Sequence, residues 1–74
     1  MGTVAQNSRV ELTADVALSG YTPFAVTYEK ASHNDMWVNK CILNTSTQKV
    51  TVTLTSQSAY SDALAVVRVL YKKN

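Results

Sequence analysis

The sequence predicts an all-β fold: a small antiparallel β-sandwich or barrel of five to six strands, assembled as a trimer. Three observations carry that expectation. Apolar and polar residues alternate with period two along almost the whole chain, as in Val10-Glu11-Leu12-Thr13-Ala14. Short polar clusters interrupt the alternation at regular spacing, which is the rhythm of strands and turns. The last segment, Ala63 to Lys72, is apolar on both faces of an extended strand. Ala63, Ala65, Val67, Val69 and Tyr71 share one face; Leu64, Val66 and Leu70 share the other, with Arg68 among them. A strand apolar on both sides needs cover on both. A chain of 74 residues has little material for a second layer, so a partner subunit is the simplest source of it. Leu64, Val66, Arg68 and Leu70 are therefore the candidate subunit interface.

Residues 1–8 read as an N-terminal arm, a linker or a short edge strand, and 9–74 as a single β domain. Val10, Leu12, Ala14, Val16 and Leu18 alternate with Glu11, Thr13, Asp15 and Ala17, giving a half-buried first strand. Ser19-Gly20-Tyr21-Thr22-Pro23 breaks it, because glycine and proline supply turn geometry. A second strand follows from Phe24 to Lys30, and Ala31-Ser32-His33-Asn34-Asp35 forms a polar hairpin loop. The third strand, Met36 to Leu43, places Met36, Val38 and Ile42 on one face and Trp37, Cys41 and Leu43 on the other. After the turn Asn44-Thr45-Ser46-Thr47, a fourth strand sets Val50, Val52 and Leu54 against Thr51, Thr53 and Thr55. Threonines pair well across strands, so that face is expected to be wet. Ser56 to Asp62 is a longer polar loop containing Tyr60. Asp62 has the chemistry of a helix N-cap, but the crowded valines and all-round apolarity of the segment after it favour a strand.

Composition narrows the function. The charged fraction is 16% against a typical quarter, and net charge is only +2, which argues against a nucleic-acid footprint. Lys72-Lys73 reads as a solvated end. No apolar run reaches the roughly 18 residues of a membrane span, and no signal-peptide pattern opens the chain. One cysteine excludes an internal disulfide, and one histidine leaves no ordinary zinc site. No metal or other cofactor is expected.

Catalytic constellations are equally thin. His33-Asn34-Asp35 brings a histidine near a carboxylate, but a base or a metal needs further groups; three copies of His33 on a threefold axis are the one metal arrangement conceivable. Cys41 with His33 has the residue types of a nucleophile pair, yet Cys41 sits mid-strand, where cysteine behaves as a small apolar residue. No serine lies in a G-x-S-x-G context, and two glycines cannot make a phosphate loop. Asn44-Thr45-Ser46 matches a glycosylation acceptor without any sign of a secretory route. The chain is expected not to be an enzyme. Aromatic rings with polar edges recognise sugars and protein surfaces, which makes Tyr60 and Trp37 receptor-site alternatives; Tyr28 and Trp37 are expected in the core, whereas Tyr60 sits in a polar loop. Rigid β-scaffolds carry function on loops, so the candidate receptor-binding residues are Ser32, His33, Asn34, Asp35, Ser58, Tyr60 and Asp62.

Two segments carry a family resemblance. Ser19-Gly20-Tyr21-Thr22-Pro23 followed by Val26-Thr27-Tyr28, and the ending Val67-Arg68-Val69-Leu70-Tyr71-Lys72-Lys73, resemble the C-terminal domains of phage and prophage tail proteins. In these a leucine-containing strand leads into a GYTP-type turn, and the chain finishes with a serine-rich loop and a V-x-V-L-Y-x-K strand. Ser56-Gln57-Ser58-Ala59-Tyr60-Ser61-Asp62 takes the loop's place, opening on Thr55-Ser56 where the family often has asparagine. The resemblance spans roughly residues 9–73 and implies a compact distal domain of a homotrimeric tail fibre. It also implies a location in the virion tail and a non-enzymatic role in attachment to a bacterial surface polysaccharide or protein, without membrane insertion. Arg9, Arg68 and the Lys72-Lys73 end would then meet anionic surface polymers. The competing expectation is a free-standing small β-barrel that binds nucleic acid or inhibits a protein, hinted at by Tyr28 and Lys30 on one strand.

Overall fold

The computed structural model describes residues 2–74, and they are all-β, without a helix. Seven strands run β1 (Gly2–Val4), β2 (Ser8–Asp15), β3 (Tyr21–Ala31), β4 (Met36–Asn44), β5 (Lys49–Ser56), β6 (Tyr60–Ala63) and β7 (Ala65–Lys73). They form three antiparallel sheets, ordered β2-β5-β4, β3-β7 and β1-β6. The first two face each other as a small sandwich and β1-β6 closes one end. No barrel forms, because β2 and β7 are not hydrogen-bonded to each other.

β5 is the spine. Its residues Val50, Val52, Leu54 and Ser56 are buried while Thr51, Thr53 and Thr55 face outward. Leu54 is completely buried, set between Val10 on β2 and Val38 on β4 in the same cross-strand row. The opposite layer contributes Val26 and Tyr28 from β3 and Val67 and Val69 from β7, all packed on this core. The core is completed at one end by Val4 and Ala63 of the small sheet. Pro23, expected in the turn, is buried within β3 at a register shift, where its missing N–H costs no ladder bond.

Local chemistry sets the turns. Tyr21 N–H donates to the Leu18 carbonyl at 3.1 Å across Ser19-Gly20, with Gly20 at φ +84°, a value that suits glycine in such a turn. The Asn44 side chain accepts from the backbone N–H groups of Ser46 and Thr47 at 3.0 and 3.2 Å, folding the β4–β5 hairpin.

Three expectations change. The segment expected as one long loop before the last strand contains β6, which gains a partner in β1. The last strand is broken at Leu64, so Ala63 belongs to β6 and β7 starts at Ala65. A bulge between Val38 and Lys40 interrupts the alternation of β4. Beyond it the faces exchange: Cys41 and Leu43 join Met36 and Val38 toward the core, whereas Ile42 joins Trp37 on the exposed face. Trp37 is thus a surface residue and not the core residue its size suggests.

The molecule is long for its mass. Its extents are 43 × 18 × 16 Å and its radius of gyration is 13.1 Å, against about 11 Å for a compact chain of this length. The nine residues of β7 extend about 30 Å and fit only along the long axis. One end of that axis carries β1, β6 and the β3–β4 loop. The other carries the Gly20 turn and the C-terminus, where Asn74 N–H donates to the Gly20 carbonyl at 3.0 Å.

Candidate functional site

The two polar loops meet at the β1-β6 end. β6 brings Tyr60 and Asp62 beside the β3–β4 loop, and a backbone bond from Gln57 N–H to the Asp35 carbonyl, 3.1 Å, joins the loops directly. His33 and Tyr60 stack ring on ring, with centroids 3.6 Å apart and planes 4° from parallel. His33 Nε2 lies 2.8 Å from Asp62 Oδ1. The Asp35 carboxylate accepts two hydroxyls, Ser58 Oγ and Tyr60 Oη, each at 2.6 Å. Ser32 Oγ donates to the Asp62 carbonyl and accepts from Leu64 N–H, both at 3.1 Å. Of the seven candidate receptor residues, six are tied into this one network, and Asn34 sits exposed at the loop tip.

The electrostatics follow from these bonds. The Ser58 and Tyr60 hydroxyls hold the Asp35 carboxyl below its ordinary range, and the bond to His33 does the same for Asp62. The Asp35 bond pushes the Tyr60 phenol up, since ionisation would set two anions against each other. Each polar group here is occupied by a neighbour. Ser58 donates to Asp35 and not to His33, so no hydroxyl is positioned for activation by the histidine. The arrangement works as a polar cross-link between two loops. Among the described residues, no group of three or more His, Cys, Asp or Glu side chains is placed to hold a metal ion. Cys41 pairs with Val52 in the middle of β4, and burial pushes its thiol up.

The candidate interface residues separate into two places. Val66, Arg68 and Leu70 lie on the outer face of β3-β7, opposite Lys30, Thr27 and Ala25. Arg68 Nη2 donates to Glu29 Oε1 at 2.6 Å on that face, an exposed pair of small energetic weight. Leu64 instead lies at the junction of β6 and β7. There it helps to line an apolar cleft of about 120 Å³ with Leu12, Val16, Val52 and Val67, on the open side of the sandwich between β2 and β7. Tyr28 packs toward the core while Lys30 faces outward, so the two do not share a surface.

Two exposed aromatics escaped the sequence reading. Phe24 opens the expected second strand on the same face as Val26 and Tyr28, but a register shift between Pro23 and Ala25 leaves it on the surface. Trp37 stands on the outer face of β2-β5-β4, 46% exposed. For Phe24 the cause is a bulge, which strict alternation does not encode; Trp37 lies before the β4 bulge, and its outward face follows from alternation with the buried Met36, against the core position its size suggests. No family model, curated protein or solved structure matches this chain.

Proposed function

We propose that this chain is a non-enzymatic structural and adhesive β-module that self-associates as a homotrimer, in the manner of the distal domain of a phage tail fibre, and attaches to a bacterial surface. The observation that carries the reading is the uncovered outer face of β7. Leu70 is 43% exposed and Phe24, on the adjoining strand, 58%. Leu64, 44% exposed, adds the lip of the cleft between β2 and β7. Among the described residues nothing covers these groups, and the buried core cluster holds six residues, Val4, Met36, Val50, Val52, Leu54 and Ala63.

A threefold ring needs two different surfaces on each copy, one meeting the other across the interface. The outer face of β3-β7 and the open cleft on the adjacent side supply such a pair. A standard contact takes about 800 Å² from each partner, near a sixth of the 4818 Å² surface of this chain. The polar cross-link at the β1-β6 end fits a load-free, rigid loop platform, and three copies would multiply weak contacts into useful attachment.

The test is the solution mass by light scattering after size exclusion, over a range of concentrations. A stable species at three times 8.1 kDa is expected. A folded, monodisperse monomer throughout would remove the assembly from the proposal.

A further inference from the structure

The outer face of β2-β5-β4 is built of cross-strand rows. Arg9, Thr55 and Trp37 form one row, and Glu11, Thr53 and Lys40 the next. In a regular strand Asn39 would point outward and Lys40 inward. The bulge between Val38 and Lys40 instead keeps both outward and returns Cys41 to the core. The Asn39 side chain reaches across to Thr55, whose hydroxyl donates to its Oδ1, so the amide nitrogen is left to donate elsewhere. The bulge therefore sets two polar side chains beside an exposed indole, which is how bulges re-aim residues at binding sites.

The geometry points to a saccharide subsite on this face, in which Trp37 stacks on the C–H face of one pyranose ring and Asn39, Thr55 and Arg9 bond its hydroxyls. This deepens the attachment half of the proposed function and rests on it; it does not need the trimer. Three features select a sugar over other occupants. The exposed apolar residues of the face, Trp37 and Ile42, are separated by Asn39 and Lys40 and flanked by a threonine column, so there is no contiguous dry patch for a protein partner. The rim mixes donors (Arg9, Lys40, the Asn39 amide) with acceptors (Glu11, the threonine hydroxyls). A hydroxyl both donates and accepts and matches such a rim, whereas a phosphodiester accepts only and would meet Glu11 unfavourably. The ring quadrupole of an indole attracts polarised C–H groups, and a flat sheet face leaves room for a ring to lie on it.

Trp37 is the only tryptophan in the chain, so its emission reports this site alone. The full chain is titrated with methyl hexopyranosides and with malto-, cello- and chito-oligosaccharides, reading emission, with solution mass measured on the same samples. The expected result is a saturable change for at least one sugar, with Kd on the order of 1 mM. Asn39→Ala is expected to weaken it by roughly 2- to 10-fold, the loss of one hydrogen bond. Trp37→Ala, read by saturation-transfer NMR, is expected to abolish binding; Trp37→Phe replaces it if that variant does not fold, and is expected to weaken binding. Unchanged emission with every sugar at roughly 10 mM, or saturation transfer that survives loss of the indole, overturns the inference. A monomer that binds sugar keeps the subsite and removes the assembly. A trimer blind to every sugar removes the subsite alone.

Discussion

Replacing Ile42 by lysine is expected to leave the chain folded, whereas the same replacement one residue later, at Leu43, is expected to unfold it. Ile42 is 48% exposed, so about half of the ~1.5–3 kcal/mol for burying an isoleucine is at stake, near 0.8–1.6 kcal/mol. The lysine stem recovers part of that by lying along the sheet. Leu43 packs on the core beside Val50. Leu43 is partly buried, so lysine there forfeits much of the leucine term and adds a few kcal/mol for an ammonium drawn against the apolar core. Total stability for 74 residues is about 4–11 kcal/mol, so the second change consumes all or most of it. Urea unfolding followed by far-UV circular dichroism reads the difference. With a slope of roughly 1 kcal/mol/M, Ile42→Lys moves the midpoint by about 1 M, and Leu43→Lys shows no folded baseline. The opposite order would refute the bulge, because uninterrupted alternation from Met36 puts Ile42 inside and Leu43 outside.

Leu54→Ala, at the most enclosed position of the sheet, is expected to cost about 2–5 kcal/mol and to lower Tm by roughly 10–30 °C; calorimetry reads it, and a loss within a few degrees would contradict the packing. In the proposed trimer Leu70→Glu is expected to reduce the solution mass to that of a monomer while leaving the circular dichroism spectrum unchanged, since Leu70 is exposed in the isolated chain. In acid, stability is expected to fall as pH drops below the ordinary carboxylate value of 3.8. Asp35 and Asp62 have depressed folded-state pKa values, so the stability they contribute is present above that value and lost as pH falls through the lower folded ones. Tyr60→Phe removes one of the two hydroxyls on Asp35 and is expected to flatten this acid dependence, read as urea midpoints at pH 7 and pH 3.

β5 was legible, because Val50, Val52 and Leu54 alternate without interruption against threonines; β2 was legible as a strand, but the alternation read on to Leu18 stops at Asp15, and Ala14 and Leu18 are exposed. β4 was legible as a strand but not in its faces: the bulge after Val38 turns Cys41 and Leu43 to the core side of Met36 and Val38 and puts Ile42 outside with Trp37, and nothing in the residue types marks it. β6 was hidden because its pairing with Gly2–Val4 lies some sixty positions away in sequence, and Tyr60-Ser61-Asp62 has loop composition. For the candidate site, composition identified both polar loops. That they form one cluster depends on β6 carrying Tyr60 and Asp62 to the β3–β4 loop, a tertiary contact with no local signature.

The lengthwise layout of the terminal strands has a mechanical consequence. A pull between Gly2 and Asn74 meets β1 first, which turns back from its attachment to β6 and can be unzipped pair by pair. Beyond it, tension enters β2 at Ser8 and β7 at Lys73, each drawn along its own axis from opposite ends of the 43 Å molecule. β2 is then sheared against eight residue pairs with β5, and β7 against nine with β3. In shear the bonds of a ladder bear the load together, so the sandwich should hold at extensions that have already released its N-terminal strand.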